Sequence, residues 1–142
     1  MIGKIEVTID VIVHATENIS RIFQSFEDLL GLKKEDFTVN ETTGYFENPI
    51  TMLNIKMVKK QAENFMKSLL ESLSKQQIRE LINEIEERTV DSRFHMRLDK
   101  QELINGNLVI REKDTIKIKI HTPIYNKKDT VKTFPEIFQI AN

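Results

Sequence analysis

The chain has 142 residues, of which 39% are hydrophobic and 30% charged; its formal net charge is −1 and it has no cysteine. That length suits one domain, and the composition excludes a disordered chain, a collagen-like chain and a membrane protein. Without cysteine there are no disulfides, thiolate metal sites or cysteine nucleophiles.

Residues 1–10, MIGKIEVTID, alternate apolar and polar instead of forming the apolar segment of a secretory leader. The apolar runs are far shorter than the ~20 residues a spanning helix needs, so the reading is a cytoplasmic protein. Ile5, Val7, Ile9, Val11 and Val13 recur with period two, the pattern of a strand with one buried face. Its other face carries Glu6, Thr8, Asp10, Ile12 and His14. Thr16 reads as a helix N-cap, with Glu17 placed against the helix dipole. Ile19, Ile22, Phe23, Phe26, Leu29 and Leu30 follow at helical spacing, and Gly31 reads as a left-handed C-cap with Leu32 packing back.

Residues 33–49 are less regular. Phe37 and Val39 suit a short strand, and Gly44 and Asn48-Pro49 mark a loop carrying Tyr45 and Phe46. Ile50 to Val58 reads as a strand. The period then changes: Ala62, Phe65, Met66, Leu69, Leu70 and Leu73 fit a helix, and Ser74 with Gln77 forms a capping box that opens another, with Ile78, Leu81, Ile82 and Ile85 as its buried stripe. Phe94, Met96 and Leu98 alternate with Arg93, His95 and Arg97 as a half-buried strand. Asn105-Gly106 signals a tight turn with positive φ at both positions, leading to a short strand at Leu108–Ile110. After a turn at 112–114, Ile116, Ile118 and Ile120 alternate with Lys117, Lys119 and His121, and Pro123 ends that strand. The order of elements implies an α+β fold: a mixed or largely antiparallel sheet with helices packed on one face. Residues 1–123 make a single domain and 124–142 a tail packed on it, with Phe134, Ile137, Phe138 and Ile140 as an apolar face.

Charge is unevenly spread. Residues 1–90 carry 11 basic and 15 acidic residues, and residues 91–142 carry 10 basic and 7 acidic. If the last strands share one sheet, Arg93, His95, Arg97, Lys117, Lys119 and His121 all stand on its open side. Such a face suits phosphates, and RNA is read largely through shape, phosphate and sugar. The alternative is a solvated face whose cations pair with Glu6 and Asp10 of the first strand. No aromatic interleaves with these cations, which favours backbone recognition over base stacking. His14, His95 and His121 lack metal-ligand spacing, no serine sits in a nucleophile turn, and the four glycines form no phosphate loop. No cofactor, metal or catalytic residue is therefore expected.

Four stretches, VHATEN at 13–18, GYFENPI at 44–50, RFHMRLDKQ at 93–101 and DTIKIKI at 114–120, resemble an archaeal family of RNA-binding proteins described as predicted exosome-associated subunits. The family's loop is usually similar to GHYGNPI; here Tyr45 and Phe46 take its second and third positions and Glu47 replaces a glycine. The resemblance implies a fold similar to the large-subunit ribosomal protein that binds small ribosomal RNA. It also implies RNA binding through Arg97, Lys100 and Gln101, with Asn48 second, while Asp99 orients Arg97 or Lys100, or caps the turn. Arg93, Lys117 and Lys119 join them from the strand pattern.

The reading is a non-catalytic protein that binds structured RNA, in RNA processing or ribosome-related work. A second reading is an interaction module docking on an RNA-processing assembly with little direct RNA contact, which the near-neutral charge favours. A third, a hydrolase or ligand-binding domain, would need a deep pocket with convergent histidines and carboxylates. Sheet edges also leave room for a homodimer.

Overall fold

The structure, a computed structural model, describes residues 5–44, 47–112, 115–122 and 134–138. Tyr45 and Phe46, the end of the 112–114 turn, Pro123, most of the tail and Ile140 lie outside the described residues. Six strands form one sheet: β1 (Glu6–His14), β2 (Thr38–Thr43), β3 (Pro49–Val58), β4 (Thr89–Val90), β5 (Arg93–Asp99) and β6 (Thr115–His121), in the order β2-β3-β1-β6-β5-β4. Every pairing is antiparallel. Among the described residues no helix is long and apolar enough to cross a membrane.

The apolar alternation of β1, β3, β5 and β6 points one way. Val7, Ile9, Val11 and Val13 meet Leu53, Ile55 and Met57 on one side and Ile116, Ile118 and Ile120 on the other, all buried in a single core. Helices α1 (Ile19–Leu30), α2 (Lys59–Ser72), α3 (Lys75–Asn83), α4 (Ile85–Arg88) and α5 (Lys100–Ile104) add their apolar stripes to that core. The opposite face of the sheet is mostly polar and partly to fully exposed.

Local chemistry sets the boundaries. The N-cap of α1 is Asn18, whose side chain accepts from Arg21 N at 3.3 Å, and not Thr16. Glu17 N donates to His14 O and the Glu17 carboxylate accepts from His14 N, so residues 14–17 are spent on a turn before the helix begins. Gly31 ends α1 at φ 68°, its N–H reaching Glu27 O while Leu32 N reaches Phe26 O. Ser74 and Gln77 cap α3 reciprocally, at 2.8 and 3.0 Å. Phe37 lies just before β2, packed against Phe23 and Phe26.

Two further expectations give way. Asn105-Gly106 closes no hairpin: Asn105 ends α5 at φ −80° and only Gly106 is left-handed, at φ 89°. The two-residue turn with positive φ at both positions is Asp91-Ser92, between Val90 and Arg93. Leu108–Ile110 is not a strand either; it meets β5 through a single bridge, Leu98 to Ile110, and Gln77 Nε2 takes the Leu108 carbonyl. The short α5 fills the connection instead.

Residues 134–138 are helical, and Phe134, Ile137 and Phe138 are fully buried. Phe94 anchors them, with ring centroids 5.4 Å from Phe134 and 4.9 Å from Phe138. Replacing Phe94 by Ala opens a cavity beneath both the sheet and this segment. The expected loss is about 3–5 kcal/mol in urea unfolding; a loss under ~1 kcal/mol would show that the cluster does not hold the segment.

Candidate nucleic-acid interface

The buried isoleucines of β6 force Lys117, Lys119 and His121 outward, and Phe94, Met96 and Leu98 do the same for Arg93, His95 and Arg97. The register then sets these side chains opposite one another: Arg93 with His121, His95 with Lys119, Arg97 with Lys117. On the far side of β6, Lys119 faces Thr8 and Lys117 faces Asp10. Neighbouring strands lie about 4.8 Å apart, so six basic or titratable side chains share a compact patch of the open face.

The carboxylates of β1 do not neutralise this patch by pairing. Glu6 lies 3.8 Å from Lys56 on β3, and Asp10 accepts from Asn54 Nδ2 at 2.6 Å, also on β3. Among the described residues neither Lys117 nor Lys119 enters an ion pair. Arg93 donates to Asp91 O and Arg97 to Glu112 O, both backbone acceptors that leave the charges intact. Beyond β5 the patch meets a cleft lined by Glu84, Glu87, Arg88, Val90, His95, Arg97 and Glu112. There Arg88 lies 2.7 Å from Glu84 and 3.5 Å from Glu112.

His95 registers the local field. Burial, then Lys119, Arg97 and Arg93, hold its pKa below the usual histidine value of 6.5. The unfolded chain therefore binds the His95 proton more tightly than the folded one, and the folded state loses stability as pH falls below about 6.5.

The other expected residues are placed differently. Lys100 is not on the open face. It is 1% exposed, its ammonium 2.9 Å from Glu17 Oε1 and donating to Ile12 O at 2.7 Å. Its charge is used inside the protein, because the first turn of α5 points it at the β1–α1 turn. Gln101 donates to Glu17 Oε2 at 3.1 Å at the same junction. Asp99 caps α5, accepting from Glu102 N at 2.8 Å, and lies 3.1 Å from Arg111 Nε. Asn48 is exposed at the end of β1, in a cleft shared with His14, Ala15, Thr16, Gly44, Pro49 and Ile50. Its carbonyl accepts from Gly44 N at 2.7 Å, and the turn holds Glu47 at φ 60°. His14 pairs with Ile50 while His121 pairs with Glu6, so the three histidines do not meet. Arg93, Arg97, Lys117 and Lys119 are thus brought together; Asn48, Lys100 and Gln101 gather around the turn that follows β1.

The model of a family described as RNA binding matches residues 6–122, from the first residue of β1 to just beyond β6. The chain belongs to this family. It is 31% identical over 137 residues to an uncharacterised protein of Methanocaldococcus jannaschii, covering 89% of this chain and 91% of that one. It is 30% identical over 144 residues to an RNA-binding protein of Pyrococcus abyssi, covering 95% and 88%. A solved DUF54 protein from Methanothermobacter thermautotrophicus shares the fold at a TM-score of 0.75 and 22% identity, with 96% of this chain and 100% of that one covered. A DUF54 protein from Archaeoglobus fulgidus also reaches 0.75, at 25% identity, with 97% and 99% covered.

Within this RNA-binding family fold, the Glu17–Lys100 pair is the polar joint most sensitive to truncation. Lys100→Ala leaves the Glu17 carboxylate, and the Ile12 carbonyl, without the buried ammonium that partners both. A loss of about 3–5 kcal/mol in denaturant unfolding is expected, whereas Lys119→Ala, on the open face, should change stability by under ~0.5 kcal/mol.

Proposed function

We propose that this chain is a non-catalytic RNA-binding protein that holds structured RNA against β5 and β6. The observation that carries the reading is the set of four cations, Arg93, Arg97, Lys117 and Lys119, side by side with His95 and His121 while Glu6 and Asp10 are engaged on β3. Phosphates would take these cations, while Asn48 and Gln101, off to one end, would reach sugar or base. Membership of the RNA-binding family and the name of the Pyrococcus abyssi relative support it. Work in RNA processing, or at the ribosome, follows from the same reading.

A second reading, docking on an RNA-processing assembly such as the exosome or pairing with another copy, draws on β2. That strand is an outer edge of the sheet and all six of its residues are exposed. Unpaired edge N–H and C=O groups accept a further strand. No RNA binding by the purified protein even at low salt would favour it.

The first reading is tested by titrating structured and single-stranded RNA across a salt series. Binding should weaken linearly in log salt. Arg97→Ala with Lys119→Ala should lower that slope by about 2 while the protein stays folded; an unchanged slope and affinity would remove the basic face as the site.

The pH dependence has a definite sign. Burial lowers the His95 pKa most, and Lys119, Arg97 and Arg93 lower it further; a bound phosphate offsets those three charges. Lys117 and His121 flank it on β6, and Glu84, Glu87, Arg88 and Glu112 line the cleft beside it. Binding should therefore take up a proton, so affinity rises as pH falls below about 6.5. In His95→Gln that part of the rise should vanish; a profile identical to the parent protein would show that His95 does not face the phosphates.

A further inference from the structure

The open face is not basic throughout. Ile12 on β1 and Met52 on β3 are register partners, 43% and 47% exposed, and among the described residues no helix covers them. Ile12 sits two residues along β1 from Asp10, which faces Lys117, so by strand geometry Ile12 lies roughly 8 Å and Met52 roughly 12 Å from Lys117. Between the two stands the Asp10–Asn54 hydrogen bond, half-buried on the same face. An apolar shelf, a carboxylate and amide rim, and then a row of cations are the three environments that a nucleotide needs for its base plane, base edge and phosphate.

We infer that Ile12 and Met52 form a platform for an unpaired nucleobase of the RNA whose phosphates lie on Lys117 and Arg97, with Asp10 and Asn54 reading the base edge. This rests on the proposed RNA-binding function and deepens it. The charge of the neighbouring row selects the occupant: an apolar partner flanked by anionic groups fits a splayed nucleotide. Among the described residues of the open face no phenylalanine, tyrosine or tryptophan is present, so the shelf gives apolar contact in place of aromatic stacking. The Asp10 carboxylate accepts only, and one of its oxygens is engaged by Asn54. It therefore favours a base whose edge offers N–H donors, guanine above all, whose ring N–H and amino group lie side by side.

The structured RNA of the proposed function then carries an unpaired base, bulged from between two paired segments, at the point where it crosses β1. The test uses the full chain and two hairpin RNAs of equal length, one fully paired and one with a single bulged guanine. The parent protein should prefer the bulged hairpin. Ile12→Ser with Met52→Ser, both at exposed positions, should remove that preference, about tenfold, and leave the salt slope unchanged. On a third hairpin, with uracil as the bulged base, the parent protein should bind more weakly than on bulged guanine, and Asp10→Asn should reduce that difference. Circular dichroism and thermal unfolding check that both variants remain folded. Equal affinity of the parent protein for the two hairpins would overturn the platform. So would a serine variant that behaves as the parent on both, or that weakens both equally; the shelf would then belong to another partner or to the sugar-phosphate chain. Each of these results leaves the basic face standing. Failure of the parent protein to bind either hairpin at low salt would instead overturn the RNA-binding function itself.

Discussion

The alternation of β1 constrains most of what surrounds it. It is an inner strand, hydrogen-bonded to β3 on one side and β6 on the other, with Val7, Ile9, Val11 and Val13 buried beneath the helices. Sliding either neighbour by one residue would turn Leu53, Ile55 and Met57, or Ile116, Ile118 and Ile120, to water, so the register is fixed by the core. The open face inherits that register. Lys117 and Lys119 stand opposite Arg97 and His95 because Ile116, Ile118 and Ile120 had to be packed against Val7 and Ile9. The cationic row is thus positioned by hydrophobic burial, with no need for mutual attraction among like charges.

A second constraint acts where β1 outruns β6. Their pairing stops at Asp10 and Lys117, yet β1 continues to His14 along β3. Ile12 lies beyond that pairing, so a donor for its carbonyl must come from somewhere other than β6. The Lys100 ammonium supplies the donor, and its own charge is met by Glu17, which also accepts from His14 N and Gln101. Burying an ion pair in this way costs desolvation, but the surrounding hydrogen bonds offset it and leave one defined joint between the end of β1, the start of α1 and α5. The stretch RLDKQ therefore divides its work: Arg97 faces out on the sheet, Asp99 caps a helix, and Lys100 and Gln101 secure the joint.

What was legible in the sequence follows this physics. Period-two runs with strong apolar contrast gave β1, β3, β5 and β6 and the outward parity of the six basic or titratable side chains. Helical stripes and the Ser74–Gln77 box gave α1 to α3. The misses lie where a local signal competes with tertiary structure. Thr16 and Asn18 are both good caps, and the choice was made by Glu17 turning back onto His14. Asn105-Gly106 has the chemistry of a hairpin turn, but Lys100 and Leu103 are drawn into the core and wind the preceding residues into α5. Asp91-Ser92 adopts the hairpin turn without a glycine, so composition gave no warning of it. For β2 the sequence suggests only a short strand at Phe37 and Val39; TVNETT has no buried residue, so no alternation marks its full extent and Phe37 falls just before it. Lys100 could not be told from Arg97 in the sequence, because a motif shows residue types and not which of them will be buried.

Net charge says little about any one face, for a similar reason. A total near zero averages over acids and bases spread unevenly across the surface. Electrostatic interactions between exposed groups fade over about 10 Å at 0.1 M salt, which is some two strand spacings. Within that distance of Lys119 lie Lys117, Arg97, Arg93 and His95, and also, opposite His121 and Lys117, Glu6 and Asp10, whose carboxylates are engaged by Lys56 and Asn54 of β3. Towards β4 the balance changes: Glu84, Glu87 and Glu112 rim the cleft, and Arg88 offsets two of them. An approaching polyanion is therefore drawn over β6 and repelled at the β4 edge. That bias directs its path across β1, toward the uncharged pair Ile12 and Met52 and away from the acidic rim.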